Sequence, residues 1–133
     1  MPDFSLLADI FGQYRDIQAV YLFGSVASSG RLHAESDLDL AIVPRSAAAR
    51  KRKLDILTAL ARHGFDNVDL VFLDTDDIVL KYEAIRQNRL VYAAPDFERG
   101  TMYSNVVRMY LDFLPYLEVQ RKAYKQRILS GQA

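Results

Sequence analysis

Apolar and polar residues follow two different periods along the chain, and these periods predict alternating helices and strands. Apolar residues three and four positions apart are typical of one buried side of a helix, and they recur over residues 3–15, 46–63, 74–88 and 96–133. Nearly continuous short apolar runs are typical of buried strands, and they occupy residues 17–23, 37–43, 67–73 and 89–93. This order predicts an α/β (α+β) domain, with a small sheet of about four strands flanked by helices and a C-terminal helical tail.

Local signals refine the helices. In the second helix, four apolar residues are expected to lie on one side: Leu54, Leu57, Leu60 and Ala61. Asp74 or Thr75 is expected to cap the third helix, because a side-chain oxygen there can accept hydrogen bonds from the first turn. Pro115 has no amide hydrogen, so we expect it to kink or break the C-terminal helix.

Two carboxylates interrupt the second predicted strand. Side chains two residues apart share one face of a strand, so Asp37 and Asp39 project together while Leu38 and Leu40 face the other way. Two unpaired carboxylates on a buried strand repel each other and are costly to remove from water. A divalent cation relieves that cost, and Mg²⁺ commonly binds carboxylates together with substrate phosphates.

A further carboxylate, Asp69, lies in the third predicted strand between Val68 and Leu70. If the second and third strands pair side by side, Asp69 completes a three-carboxylate cluster with Asp37 and Asp39. Such a cluster can hold two metal ions about 4 Å apart, an arrangement that serves in-line phosphoryl displacement.

A Gly-Ser pair precedes these acids, at the end of the first predicted strand. Gly24 has no side chain and therefore lets the backbone approach a ligand closely. Ser25 can donate its hydroxyl and begin a helical turn whose amides favour an anion. The pair predicts a phosphate cradle that faces the metal cluster.

Composition narrows the class of protein. The chain has 133 residues, enough for one domain with a single core, and its zero formal net charge gives no sign of direct nucleic-acid binding. It has no cysteine, which excludes disulfides and thiolate metal sites and fits a cytoplasmic location. No signal peptide and no apolar run of about 20 residues is visible, so we expect neither export nor membrane insertion.

Five residues stand in a recognisable order: Gly-Ser, a loop of about ten residues, Asp-x-Asp, and a later Asp on a strand, which are Gly24, Ser25, Asp37, Asp39 and Asp69. This order resembles the signature of the DNA polymerase beta-like nucleotidyltransferase superfamily. Within it, the chain resembles the minimal nucleotidyltransferase (MNT) domain proteins, in particular MntA-type antitoxins that pair with HEPN-domain ribonuclease toxins. The resemblance continues into YEAIRQNRLVY and YLDFLPYLEVQRKAYKQRIL, and so covers most of the chain.

The resemblance implies a nucleotidyltransferase fold with a small mixed sheet, in which three catalytic acids bind Mg²⁺: Asp37, Asp39 and Asp69. It implies that Gly24 and Ser25 contact the phosphates of ATP. Ser36 is expected to orient the neighbouring acid, touch phosphate or cap the entry to the strand.

The activity that the resemblance implies is transfer of AMP from ATP to a hydroxyl, a tyrosine of the cognate HEPN toxin, which neutralises the ribonuclease. One feature departs from the family: the segment SVASSG places Gly30 one residue later than the family spacing and so lengthens the phosphate loop.

Residues 1–95 are expected to form the nucleotidyltransferase core, and residues 96–133 a C-terminal helical extension of the same domain. An apolar stripe with helical spacing runs along the extension: Tyr103, Val106, Tyr110, Phe113, Leu117 and Tyr124. Its second half carries several basic residues and has little apolar material left to pack on, so we expect this half to dock on the helices of a partner.

Three functional classes remain open. The first is a protein AMP-transferase antitoxin, the second is a small-molecule nucleotidyltransferase of the aminoglycoside type, and the third is an antitoxin that acts by binding alone. Small-molecule enzymes of this kind add a sizeable domain to build the acceptor site, and only about 40 residues follow the last predicted strand here, which disfavours the second class. The first and third classes share every motif in the chain.

Overall fold

The computed structural model describes residues 4–24 and 38–131, which form a four-stranded mixed sheet with helices on both faces. The strands are β1 Ile17–Phe23, β2 Leu38–Pro44, β3 Val68–Phe72 and β4 Leu90–Ala93. The α-helices are α1 Ser5–Phe11, α2 Lys53–Arg62, α3 Ile78–Ile85 and α4 Arg99–Leu129, and a 3-10 helix spans Ala47–Arg52. The predicted fold class, strand number and C-terminal helical tail are confirmed.

The sheet has the strand order β3-β2-β1-β4. Strand β1 is antiparallel to both β2 and β4, whereas β2 and β3 are parallel. The end of β1 therefore lies at the same edge of the sheet as the beginnings of β2, β3 and β4. Every predicted site residue that the structure describes lies at this edge, which we call the site edge.

Both faces of the sheet are covered, because β1 and β2 send apolar side chains alternately to two hydrophobic clusters. Leu22, Leu40 and Ile42 pack on the face that α1 and α2 cover. Tyr21 and Ala41 pack on the other face, against α3 and α4. This two-sided burial explains why the central strands are almost continuously apolar in the sequence.

The second helix begins differently from the prediction. A 3-10 helix occupies its first turns, so its residues are spaced three per turn before the α-helix starts at Lys53. The change of period moves the inward face to Ile56 and Leu60, which are fully buried. On the predicted apolar side, Leu60 is buried, whereas Leu54 and Ala61 are exposed.

The cap of α3 is Asp77, whose carboxylate accepts a hydrogen bond of 3.1 Å from the amide of Leu80. The prediction of Asp74 or Thr75 as the cap was therefore wrong. Asp74 instead forms an ion pair with Arg50, with 2.7 Å between Nη2 and Oδ1. The hydroxyl of Thr75 accepts from the amide of Asp77 and so supports the turn before the helix.

Helix α4 runs through Pro115 without ending, so of the predicted kink or break, the break was wrong. Proline at this position costs the hydrogen bond to the carbonyl of Leu111. Leu111 and Pro115 are exposed, so water can reach that carbonyl and offset the loss. The helix has 31 residues and is about 46 Å long. Within the described ranges, no helix combines the length and the apolar character needed to cross a membrane.

Candidate active site

Gly24 directly follows β1 and turns the chain at the site edge. Its φ of 76° lies in the left-handed region, which residues with a side chain rarely adopt. A Cβ atom built on Gly24 would overlap Oδ2 of Asp39. Glycine is therefore required here for two reasons, the backbone conformation and the close approach of the main chain to a predicted catalytic carboxylate.

Asp39 and Asp69 are direct neighbours in the sheet. They are register partners in the parallel pair of β2 and β3, so their side chains leave the same face of adjacent strands, about 4.8 Å apart. On its other side, Asp39 is aligned with Phe23, the residue before Gly24. The predicted side-by-side pairing of the two acid-bearing strands is thus present, and it places two carboxylates next to the glycine turn.

The two carboxylates are accessible from the side of α3 and α4. Asp39 is two residues before Ala41, which belongs to the cluster under those helices, so the acid shares that face of β2. Asp39 is partly buried and Asp69 is exposed. Asp39 therefore borders the core, and Asp69 faces solvent, so a charged substrate can reach the pair.

The beginning of β4 reaches the same edge, since the amide of Leu22 donates to the carbonyl of Arg89. Just before it, Asn88 adopts a left-handed φ of 56°. The guanidinium of Arg99, the first residue of α4, donates to the carbonyl of Asn88 and, over 2.9 Å, to its Oδ1. This contact ties the start of α4 to the site edge.

Sequence reasoning missed the link between Asn88 and Arg99. An asparagine three residues after the end of α3 was the available signal, because asparagine tolerates the left-handed conformation better than most residues. The partner arginine carries no comparable signal, since it lies in another element and only the fold brings the two together.

Three of the predicted site residues lie outside the described residues: Ser25, Ser36 and Asp37. The lengthened loop at Gly30 lies there as well, and these remain predictions. Among the described residues, no group of three acidic, histidine or cysteine side chains is placed to hold a metal ion. Asp39 and Asp69 are the two described members of the predicted cluster of three.

The chemistry of this pair fits a hard cation. Both members supply carboxylate oxygens, which are the ligands that Mg²⁺ prefers, and parallel pairing directs them to one side of the sheet. Two adjacent like charges are destabilising in the absence of a counter-charge. Asp39 and Asp69 are therefore suited to share a divalent cation with a phosphate-bearing substrate.

Other polar features lie away from the site edge. Arg50 pairs with Asp74 and stacks over the ring of Phe72, at the carboxyl end of β3. A polar cleft of about 540 Å³ lies at the opposite end of β1 and is lined by Gln13, Tyr14, Arg15, Asp16, Arg52 and Asp55. Both features lie at the end of the sheet opposite to Asp39 and Asp69.

Solved structures of toxin–antitoxin proteins are similar to the chain. One, a toxin–antitoxin with AMP-PNP, matches with a TM-score of 0.72 and 20% identity, over 96% of this chain and 98% of that one. Another contains the tri-AMPylated Shewanella oneidensis HEPN toxin in complex with the MNT antitoxin, with a TM-score of 0.66, 19% identity and 95% of each chain covered. The toxin–antitoxin MntA-HepT matches with a TM-score of 0.65 and 19% identity, over 95% of this chain and 96% of that one.

At such identities, the likeness to solved structures establishes the fold. No curated protein matches the chain. The family described as polymerase beta, nucleotidyltransferase matches residues 6–96, which is more than half of the chain and includes Gly24, Asp39 and Asp69. The superfamily predicted from the spacing of these residues is thereby confirmed. The chain belongs to the polymerase beta nucleotidyltransferase family.

Proposed function

We propose that this protein is the antitoxin of a toxin–antitoxin pair and transfers AMP from ATP to a tyrosine hydroxyl of a cognate HEPN toxin in the cytoplasm. The observation that carries the proposal is the alignment of Asp39 with Asp69, beside the Gly24 turn, in a domain of the nucleotidyltransferase family. Paired carboxylates next to a phosphate-binding turn are suited to nucleotidyl transfer.

The partner is proposed from the solved structures that share this fold. Among them are a HEPN toxin that carries three AMP groups in complex with an MNT antitoxin, and a toxin–antitoxin with AMP-PNP. The matches cover nearly the full length of this chain, including the long C-terminal helix. These likenesses support ATP as the nucleotide and a HEPN protein as the acceptor.

A small-molecule acceptor is less well supported by the architecture. Asp69 is exposed at the site edge, so its carboxylate is open to solvent. An acceptor that brings its own surface can approach such an open carboxylate directly. We therefore assign the acceptor hydroxyl to another macromolecule.

Each site residue has a proposed role. Gly24 and Ser25 hold the triphosphate through backbone amides and a hydroxyl, and Ser36 orients Asp37 or touches phosphate. Asp37, Asp39 and Asp69 hold Mg²⁺. When bound, Mg²⁺ neutralises negative charge that develops on the phosphate oxygens.

The transfer is a single displacement at the α-phosphorus. The acceptor oxygen forms a bond to this phosphorus, the bond from phosphorus to the bridging β-oxygen breaks, and pyrophosphate leaves. The proton of the acceptor hydroxyl passes to the carboxylate of Asp69. Asp69 is exposed at the edge of the sheet, where an incoming side chain can reach it.

Neutralisation in cells separates this function from inhibition by binding alone. The toxin is expressed together with the wild-type chain or with the Asp37→Asn/Asp39→Asn variant, and cell growth and complex formation are measured. We expect the variant to bind the toxin but to fail to restore growth. Growth restored by the variant would contradict the proposal and establish occlusion as the mechanism.

A further inference from the structure

One face of α4 is apolar along its length, but it is buried near the start of the helix and exposed near the end. Six apolar residues share this face and are called the α4 stripe: Val106, Tyr110, Phe113, Leu117, Tyr124 and Ile128. Val106 is only 2% exposed and packs in the core, and Tyr110 stacks on Tyr82 of α3 with 3.8 Å between ring centroids. By contrast, Tyr124 is 58% exposed and Ile128 is 48% exposed.

The exposed half of the stripe projects away from the domain. Arg99, at the start of α4, contacts Asn88, which follows the end of α3. Tyr110, further along α4, stacks on Tyr82, which lies within α3. Helix α4 therefore runs antiparallel to α3. Residues 113–129, which we call the α4 tail, therefore extend past the first turn of α3 for about 25 Å. The α4 tail leaves the domain at the end of the sheet that lies opposite to Asp39 and Asp69.

Basic residues surround the exposed part of the stripe. From Glu118 to Leu129 there are four cationic side chains, Arg121, Lys122, Lys125 and Arg127, and one anionic side chain, Glu118, so the net charge is +3. By helical spacing, Arg121 and Arg127 border the stripe on its two sides. The guanidinium of Arg127 also lies 5.9 Å from the ring centroid of Tyr124.

The positive charge around the α4 stripe distinguishes between the molecules that could cover it. Two copies of the tail, packed stripe against stripe, would bring like charges together along both edges of the contact, which is unfavourable. An acidic surface offers the complementary charge. An apolar groove between the helices of another protein would cover the stripe. Proteins commonly bind an amphipathic helix in such a groove.

We propose that the α4 tail docks into an apolar groove with acidic edges on the helices of the protein that receives AMP. The identity of that partner rests on the proposed function. The tail thus anchors the partner at one end of the domain, while the carboxylates act at the other.

The test compares two faces of the same helix. Ile128→Asp places a charge on the stripe, and Val119→Asp places the same charge on the opposite side, because nine residues correspond to two and a half turns. Val119 is 64% exposed, so neither substitution disturbs the core. Binding to the purified partner encoded beside this chain is measured by calorimetry without ATP, which makes the result independent of AMP transfer.

We expect Ile128→Asp to raise the Kd at least about tenfold and Val119→Asp to change it less than about twofold. A second variant, Arg121→Glu/Arg127→Glu, is expected to weaken binding and to reduce its dependence on salt. Equal effects of the two Asp variants, or no binding by the wild-type chain, would overturn the proposal.

Two further outcomes would also overturn it. If Ile128→Asp converts a dimer of the isolated chain to a monomer in sedimentation, the tail pairs with a second copy. If the tail variants abolish binding of a single-stranded RNA oligomer and leave the protein partner bound, the occupant is nucleic acid. Failure of AMP transfer by the wild-type chain, with the Kd difference intact, would remove the proposed function and leave the docking surface standing.

Discussion

The main chain of Gly24 lies against the carboxylate of Asp39, so closely that no side chain can be placed between them. Gly24→Ala must therefore displace this carboxylate and also strain a φ of 76°. We expect AMP transfer to fall about 100-fold, since a displacement of about 1 Å at a catalytic group has effects of this size. Initial rates with labelled ATP give the comparison.

Gly100→Ala is the matched control for this substitution. Gly100 lies in the first turn of α4, and nothing lies within 4 Å of the position that its Cβ would take. We expect this variant to keep its rate and to gain slightly in stability, because alanine favours a helix over glycine. Equal rates for the two variants would contradict the role assigned to Gly24.

Asp69 and Asp39 carry like charges at aligned positions of β2 and β3. A cation that both carboxylates bind would stabilise the folded chain, and Asp69→Asn removes one of the two ligands. Mg²⁺ is expected to raise the melting temperature of the wild-type chain more than that of the variant. Thermal unfolding with and without Mg²⁺ measures this difference. An equal response to Mg²⁺ would show that Asp69 is not a ligand.

Tyr21 is fully buried at the centre of the sheet, and burial raises the pKa of its hydroxyl. Among the described residues its oxygen has no hydrogen-bond partner, so its desolvation is uncompensated. Tyr21→Phe is therefore expected to raise the free energy of unfolding by about 1 kcal/mol in urea denaturation. A loss of stability would reveal a partner for the hydroxyl.

Tyr14 provides the opposite case. Its hydroxyl donates to Oδ2 of Asp55 over 3.0 Å, and burial together with this carboxylate raises its pKa. Tyr14→Phe removes the hydrogen bond, and we expect it to lower the free energy of unfolding by about 0.5 to 1 kcal/mol. The two Tyr→Phe variants are thus expected to change the free energy of unfolding in opposite directions. Each is the control for the other, because both remove one hydroxyl.

Arg45 and Asp96 form a two-pronged ion pair with both N···O distances at 2.6 Å, which joins the turn after β2 to the turn before α4. The hydrogen bonds from Arg45 hold the pKa of the Asp96 carboxyl below its ordinary value of 3.8. A carboxyl whose pKa is lowered by folding stabilises the protein above its unfolded-state pKa, and this stability is lost as pH falls through the folded-state pKa.

We therefore expect the wild-type chain to lose more stability than Asp96→Asn between about pH 5 and pH 2. Both side chains are exposed, so the difference should be small and should shrink in high salt. Urea denaturation at the two pH values tests this. Parallel losses in the two proteins would show that the ion pair does not contribute to folding.

The parts of the fold that could be predicted are those whose signals are local. Strand β1 has the predicted ends, Ile17 and Phe23, because a polar residue and a glycine bracket an apolar run that only Gln18 interrupts. The neighbouring positions of Asp39 and Asp69 followed from strand periodicity and from the assumption that β2 pairs with β3. That assumption held because a helix connects these two strands and parallel strands joined in this way commonly pair.

The predictions that failed depend on contacts between distant elements. Asp74 has the chemistry of a helix cap, but Arg50 approaches it from the 3-10 helix, and Asp77 caps α3 instead. Pro115 has the chemistry of a helix breaker. The stacking of Tyr110 on Tyr82 anchors α4 on the domain just before the proline, and the helix continues.

Intact mass of both proteins after incubation with ATP and Mg²⁺ tests the central claim most directly. The wild-type chain should add one or more AMP groups to its partner, and Asp39→Asn should add none. Asp76→Asn, which removes one exposed charge before α3, should match the wild type. An unmodified partner after incubation with the wild-type chain in a stable complex, or equal modification with Asp39→Asn, would contradict the assignment of this chain as a protein AMP-transferase.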